Sequence, residues 1–140
     1  MTSKVHYKGA LRTVASHLAS GSKIETDAPV DNHGRGERFS PTDLVATALA
    51  SCMLTVMGIV ADRNGYNLEG TECEVTKEMS DSPRRIARIV VVISFPTHAP
   101  KSAKDRTILE RAAATCPVHQ SLHPDIVQDI SFHWAALQDG

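Results

Sequence analysis

Two cysteines raise the chemical question in this chain. Cys52 stands near the middle of Leu44–Ala61, eighteen residues without a charged side chain, and Cys116 stands directly before Pro117. A thiol attacks as its thiolate, and helix N-termini or nearby cations lower its pKa. A thiol inside an apolar helix, and another at a helix entrance, point to redox chemistry more than to structural cross-linking. The plainer alternative makes Cys52 a small core hydrophobe and Cys116 an unreactive helix cap. Cys73, in Glu72-Cys73-Glu74, has carboxylates on both sides that would raise its pKa, and it reads as structural.

The cations that could serve a thiolate are Arg12, Arg35 and Arg38. A guanidinium stabilises a thiolate by charge and by paired hydrogen bonds. Each of the three reads equally well as a solvated charge on a strand or loop. Cys116, His119 and His123 form C-x2-H-x3-H, which zinc could use, but a site needs a further ligand and Pro124 interrupts the turn. His6, His17, His33, His98 and His133 are scattered. No Gly-rich phosphate loop or G-x-S-x-G elbow competes with the thiols, so no metal or cofactor is expected.

Length and charge narrow the classes. A chain of 140 residues fits one domain, 1–140, with a real core. Fifteen basic and sixteen acidic residues nearly cancel, leaving no global field for nucleic acid or an anionic membrane. Met1–Tyr7 lacks the apolar core of a signal peptide, and three cysteines are too few, and odd, for a disulfide scaffold. A reducing cytoplasmic setting is the expectation, where a disulfide would be transient and catalytic. Leu44–Ala61 only reaches the lower limit of a membrane span and contains Thr47, Ser51, Thr55 and Gly58. A helix buried inside protein is the better reading.

The elements that must place the cysteines follow from local signals. Lys4–Lys8, Leu11–Leu18 and Lys23–Thr26 read as strands around turns at Lys8-Gly9-Ala10 and Ser20-Gly21. Residues 27–39 read as a loop. Ser40 as N-cap, Pro41 at the first helical position and Asp43 at the third open a long helix, which Asn64-Gly65 stops. Apolar residues recur at 44, 48, 52, 56 and 60, and again at 45, 49, 53 and 57, giving a wide apolar face. Tyr66–Met79 and Arg85–Phe95 read as strands, and the β-branched run 89–93 predicts a strand covered on both faces. Ala103–Ala114 is predicted to be a helix capped by Ser102 and Asp105, residues 116–122 a short helix, and Ile126–Ala136 a strand. That order predicts an α+β protein with antiparallel sheet against a buried helix. One sheet cannot cover two apolar stripes, so a homodimer with helices at its centre is expected.

Two stretches carry a resemblance. Ser40-Pro41-Thr42-Asp43-Leu44-Val45-Ala46-Thr47-Ala48-Leu49-Ala50-Ser51-Cys52 and Cys116-Pro117-Val118-His119-Gln120-Ser121-Leu122 resemble the OsmC/Ohr family, the osmotically inducible and organic hydroperoxide resistance proteins. The resemblance implies an intertwined homodimer, with antiparallel sheets wrapped around long central helices. It also implies a thiol-dependent peroxidase acting on organic hydroperoxides or hydrogen peroxide. By position Cys52 would be peroxidatic and Cys116 resolving, joined as a disulfide that a dithiol such as a lipoyl group reduces, with no cofactor. Leu49, Met53, Val56 and Met57 could wall an apolar pocket around Cys52. Thr42 stands where the family's peroxide reductases carry a glutamate that orients an arginine, and Asp43 follows it. Arg12 is the arginine by position, with Arg35 and Arg38 as alternatives. The other function open to the scaffold is a small-molecule-binding or stress-response dimer without peroxide turnover.

Overall fold

A computed structural model of the chain describes residues 1–136. It divides into two compact units, Met1–Val45 and Ala46 onward.

The first unit is a three-stranded antiparallel sheet: β1 (Ser3–Gly9), β2 (Arg12–His17) and β3 (Lys23–Asp27), in the order β1-β2-β3. Gly9, Ala10 and Leu11 all adopt positive φ, at 84°, 54° and 62°, and turn β1 into β2. Residues 27–39 form the expected loop around one 3-10 turn, Val30–Asn32. Its return is pinned by Asp27 N–H donating to Phe39 O. The unit ends in the first turn of helix α1 (Pro41–Asn64). The capping box forms as the sequence predicts: Ser40 Oγ accepts Asp43 N–H at 3.0 Å, and Asp43 Oδ2 accepts Ser40 N–H at 2.9 Å.

The second unit carries the rest of α1, which ends where Gly65 takes a φ of 73°. It continues through β4 (Glu72–Ser80), β5 (Arg85–Ser94), α2 (Ala103–Ala113), α3 (Pro117–Ser121) and β6 (Val127–His133). The strand order is β4-β5-β6. Here the expectation of antiparallel sheet needs correction. β4 and β5 are an antiparallel hairpin, but β6 lies parallel to β5. The chain leaves β5, makes α2 and α3, and re-enters the sheet at the end where β5 began, as a helical crossover requires of parallel neighbours.

Burial corrects two further expectations. In α1 the fully buried residues are Ala46, Leu49, Ala50, Met53, Met57 and Ala61. The 44/48/52/56/60 stripe is half-buried and Val45 is exposed. In β5, Ile86, Ile89, Val91 and Ile93 are buried, while Val90 and Val92 are only half-buried. The β-branched run is thus dry on one face of the sheet, not on two. Leu109 and Ala113 of α2 and Cys116 complete the core. β6 is followed by Trp134, which stacks on Phe95 at 3.5 Å between ring centroids, and its Nε1–H donates to Glu110 Oε1 at 2.9 Å. The apolar helix α1 is long enough to cross a bilayer, with a mean hydropathy of 2.2 over eighteen residues. Its buried face lies in the protein core instead.

Candidate functional site: a pair of thiols

Cys116 caps α3 and is completely buried. Pro117 at the first helical position fixes the turn, and the Cys116 sulfur accepts the backbone N–H of His119 at 3.4 Å. Cys52 lies on the half-buried stripe of α1, packed against the same core. The fold brings the two together. The Cys52 and Cys116 side chains interact with each other, and both are free thiols.

The environment of Cys116 departs from the helix-entrance expectation. Burial raises its pKa, and the interaction with Cys52 raises it further. The backbone N–H groups of His119 and Val118 oppose this and are the weaker influence. Cys116 is therefore held as a thiol, because a five-residue helix end cannot replace the water that burial removes. Cys73 also has a raised pKa, as expected, but through burial and not through its flanking carboxylates. Strand alternation turns Cys73 inward while Glu72 and Glu74 stay exposed.

The second unit holds an apolar cavity of about 110 Å³ lined by Met53, Glu110, Ala113, Ala114, His119, Ile130 and Phe132, with neither Cys52 nor Cys116 among these residues. Met53 is the one member of the expected wall that lines it. Leu49 and Met57 are wholly buried in the core instead. The zinc arrangement does not form. The His119 ring bonds Gln128 Oε1 at 2.5 Å, and His123 Nδ1 accepts Asp125 N–H at 3.0 Å. No group of three His, Cys, Asp or Glu side chains among the described residues is placed to hold a metal.

The arginine candidates belong to the first unit and are held there in different ways. Arg12 grips Asp27 with two hydrogen bonds, Nε to Oδ1 at 2.7 Å and Nη2 to Oδ2 at 2.8 Å. Nη2 also reaches Glu37 Oε2 at 3.2 Å, and Glu37 N–H donates to Asp27 Oδ2. The Arg12 bond, ahead of its charge, holds the Asp27 carboxyl below the usual range, and Arg35 adds to the effect. Arg12 is correspondingly raised by Asp27. Arg38 pairs with Glu25 at an exposed site. Asp43 carries the helix cap already described.

Asp27 and Glu37 are the residues that sequence reasoning missed. The signal was the hairpin register. Strands β2 and β3 pair Ala15 with Ile24 and Ser16 with Lys23, and the same register continued outward puts Arg12 opposite Asp27.

The chain is thus an α+β protein in which a helix-borne cysteine meets a Cys-Pro helix cap. The family model for OsmC-like protein matches residues 34–131, and the chain belongs to that family. Among solved structures it is similar to a candidate osmotic stress induced and detoxification response protein from Psychrobacter arcticus 273-4. That likeness has 51% identity and a TM-score of 0.90, covering 95% of this chain and 96% of the other. It is also similar to an organic hydroperoxide resistance protein OsmC from Legionella pneumophila, at 16% identity and TM-score 0.73, covering 94% of each chain. An OsmC-like protein from Mycoplasma pneumoniae has 16% identity and TM-score 0.77, with 95% of each chain covered. Among curated protein sequences, none matches the chain.

Proposed function

We propose that this OsmC-like chain is a thiol-dependent peroxidase that reduces organic hydroperoxides, and hydrogen peroxide less efficiently. The observation that carries the reading is that the fold brings the Cys52 and Cys116 side chains within hydrogen-bonding reach of each other, both as free thiols. The name of the Legionella pneumophila structure, an organic hydroperoxide resistance protein, supports it.

In this mechanism the Cys52 thiolate attacks the outer oxygen of the hydroperoxide. The O–O bond breaks, the alkoxide leaves and takes a proton, and Cys52 becomes a sulfenic acid. The Cys116 sulfur then attacks the sulfenic sulfur, water leaves, and a Cys52–Cys116 disulfide forms. Two thiols and one hydroperoxide thus give one disulfide, one alcohol and one water. The raised pKa of Cys116 suits the order of events, because the protonated partner waits while Cys52 reacts first. Asp43 fixes the start of the helix that carries Cys52. A dithiol returns both thiols to the reduced state. The setting is the reducing cytoplasm, and the working form is a homodimer. Exposed Val5, Tyr7 and Ile24 on the first sheet support a second copy as their cover.

One equivalent of cumene hydroperoxide should consume both thiols and yield a Cys52–Cys116 linkage by mass spectrometry. Cys52→Ser should abolish turnover, whereas Cys116→Ser should accumulate a sulfenic acid that dimedone traps. Free thiols left unchanged at both positions would end the reading. Thr42, at the place of the family glutamate, favours a second reading: a small-molecule-binding or stress-response dimer without turnover. Absorbance near 240 nm against pH separates the two. Ionisation of Cys52 well below the free-thiol value of about 8.5 supports the peroxidase, and ionisation at or above it supports the binder.

A further inference from the structure

Resting on the two-thiol peroxidase reading, we propose that the reductant attacks the disulfide at the Cys52 sulfur alone, with Cys116 as the leaving thiolate. The reading above leaves open which sulfur is attacked, and the two are not equivalent. Thiol–disulfide exchange requires the incoming thiolate to reach one sulfur from the side opposite the other. Cys116 is 0% exposed, packed in the core with Leu109 and Ala113, and its sulfur takes the His119 N–H at 3.4 Å. Cys52 is partly exposed, on the half-buried stripe of α1. Access therefore selects Cys52.

The step balances as follows. One thiolate of the reductant forms a bond to the Cys52 sulfur, the Cys52–Cys116 bond breaks, and its electron pair departs on Cys116. The backbone N–H groups of His119 and Val118 receive that charge, and a proton from solvent or the reductant then quenches it. The same burial that closes Cys116 to attack keeps it protonated afterwards. Protonated Cys116 does not re-attack the mixed disulfide, which consequently survives for the next step. The second thiol of the reductant then attacks the reductant's own sulfur. The Cys52 thiolate is released, and the reductant leaves as a cyclic disulfide. A dithiol suits this site because its second attack is intramolecular and needs no second collision.

The test uses the wild-type chain and glutathione, a monothiol that stops at the mixed disulfide. The protein is oxidised with one equivalent of cumene hydroperoxide, and separately with diamide. Glutathione is added, the reaction is quenched in acid at short times, free thiols are alkylated, and the peptides are mapped. Glutathione should be found on Cys52, with Cys116 alkylated, in at least about tenfold excess over the converse. Glutathione on Cys116, or shared evenly between the two, overturns the proposal. The diamide arm reads this polarity even if hydroperoxide yields no disulfide. That last outcome would sink the peroxidase reading and leave the choice of sulfur measurable.

Discussion

Asp27 shows how much a single side chain can do in the first unit. It is buried, takes both hydrogen bonds of the Arg12 fork, and accepts the Glu37 backbone N–H besides. Its carboxyl is held below the ordinary range, so the folded chain binds this proton more weakly than the unfolded chain does. The stabilisation is therefore present above the unfolded pKa of about 3.9 and is lost as pH falls through the lower folded value. Asp27→Asn should lower the melting temperature at neutral pH, and the gap to wild type should close on acidification below about pH 4. Melting curves taken across that range decide it, and a gap independent of pH would show that Asp27 acts otherwise. Cys116 makes the converse case. Sequence alone placed it at a helix entrance, where either a favoured thiolate or an unreactive cap was open, and burial raises its pKa. The position was legible, whereas the solvent around it was not.

At the scale of elements, punctuation was read reliably and burial less so. Ser40, Pro41, Asp43 and Gly65 bound α1 as expected, because capping depends on residues within a turn of one another. Ser40→Ala should cost about 1 kcal/mol, checked by urea unfolding. Which face of α1 is buried depends on partners far along the chain. The core took Leu49, Met53 and Met57 of one expected stripe, joined by Ala46, Ala50 and Ala61, and left the Cys52 stripe half-buried. Met57→Ala should cost roughly 2–5 kcal/mol, since the side chain is fully buried among β5 and α2 residues. Val90→Ala, on the half-buried face of β5, should cost clearly less by the same measurement. The parallel placement of β6 was likewise invisible locally. A strand pattern fixes which residues alternate, and the direction of pairing is decided by the crossover that precedes it.

For the whole molecule the open surface carries the expectation. Val5 is 61% and Tyr7 66% exposed on β1, and Ile24 of β3 lies in the same cross-strand row as Val5, with Ala15 of β2 between them. Large apolar side chains on one small sheet support the proposed dimer. Sedimentation velocity should give twice the 15.2 kDa chain mass, and Tyr7→Glu should shift the population toward monomer. A wild-type monomer at working concentrations would refute the dimer.

The chain's own order of residues settled what short range can settle: the caps, the turns, the strand and helix sequence, and two thiols flanked by family-like neighbours. Those depend on φ, ψ and hydrogen bonds between near neighbours, which a linear reading carries. Tertiary structure alone decided which thiol is sealed from water, that an aspartate faces Arg12 across a hairpin, and that the last strand runs parallel. Each of these is set by groups distant in sequence and near in space, where dielectric and packing replace spacing as the governing quantities.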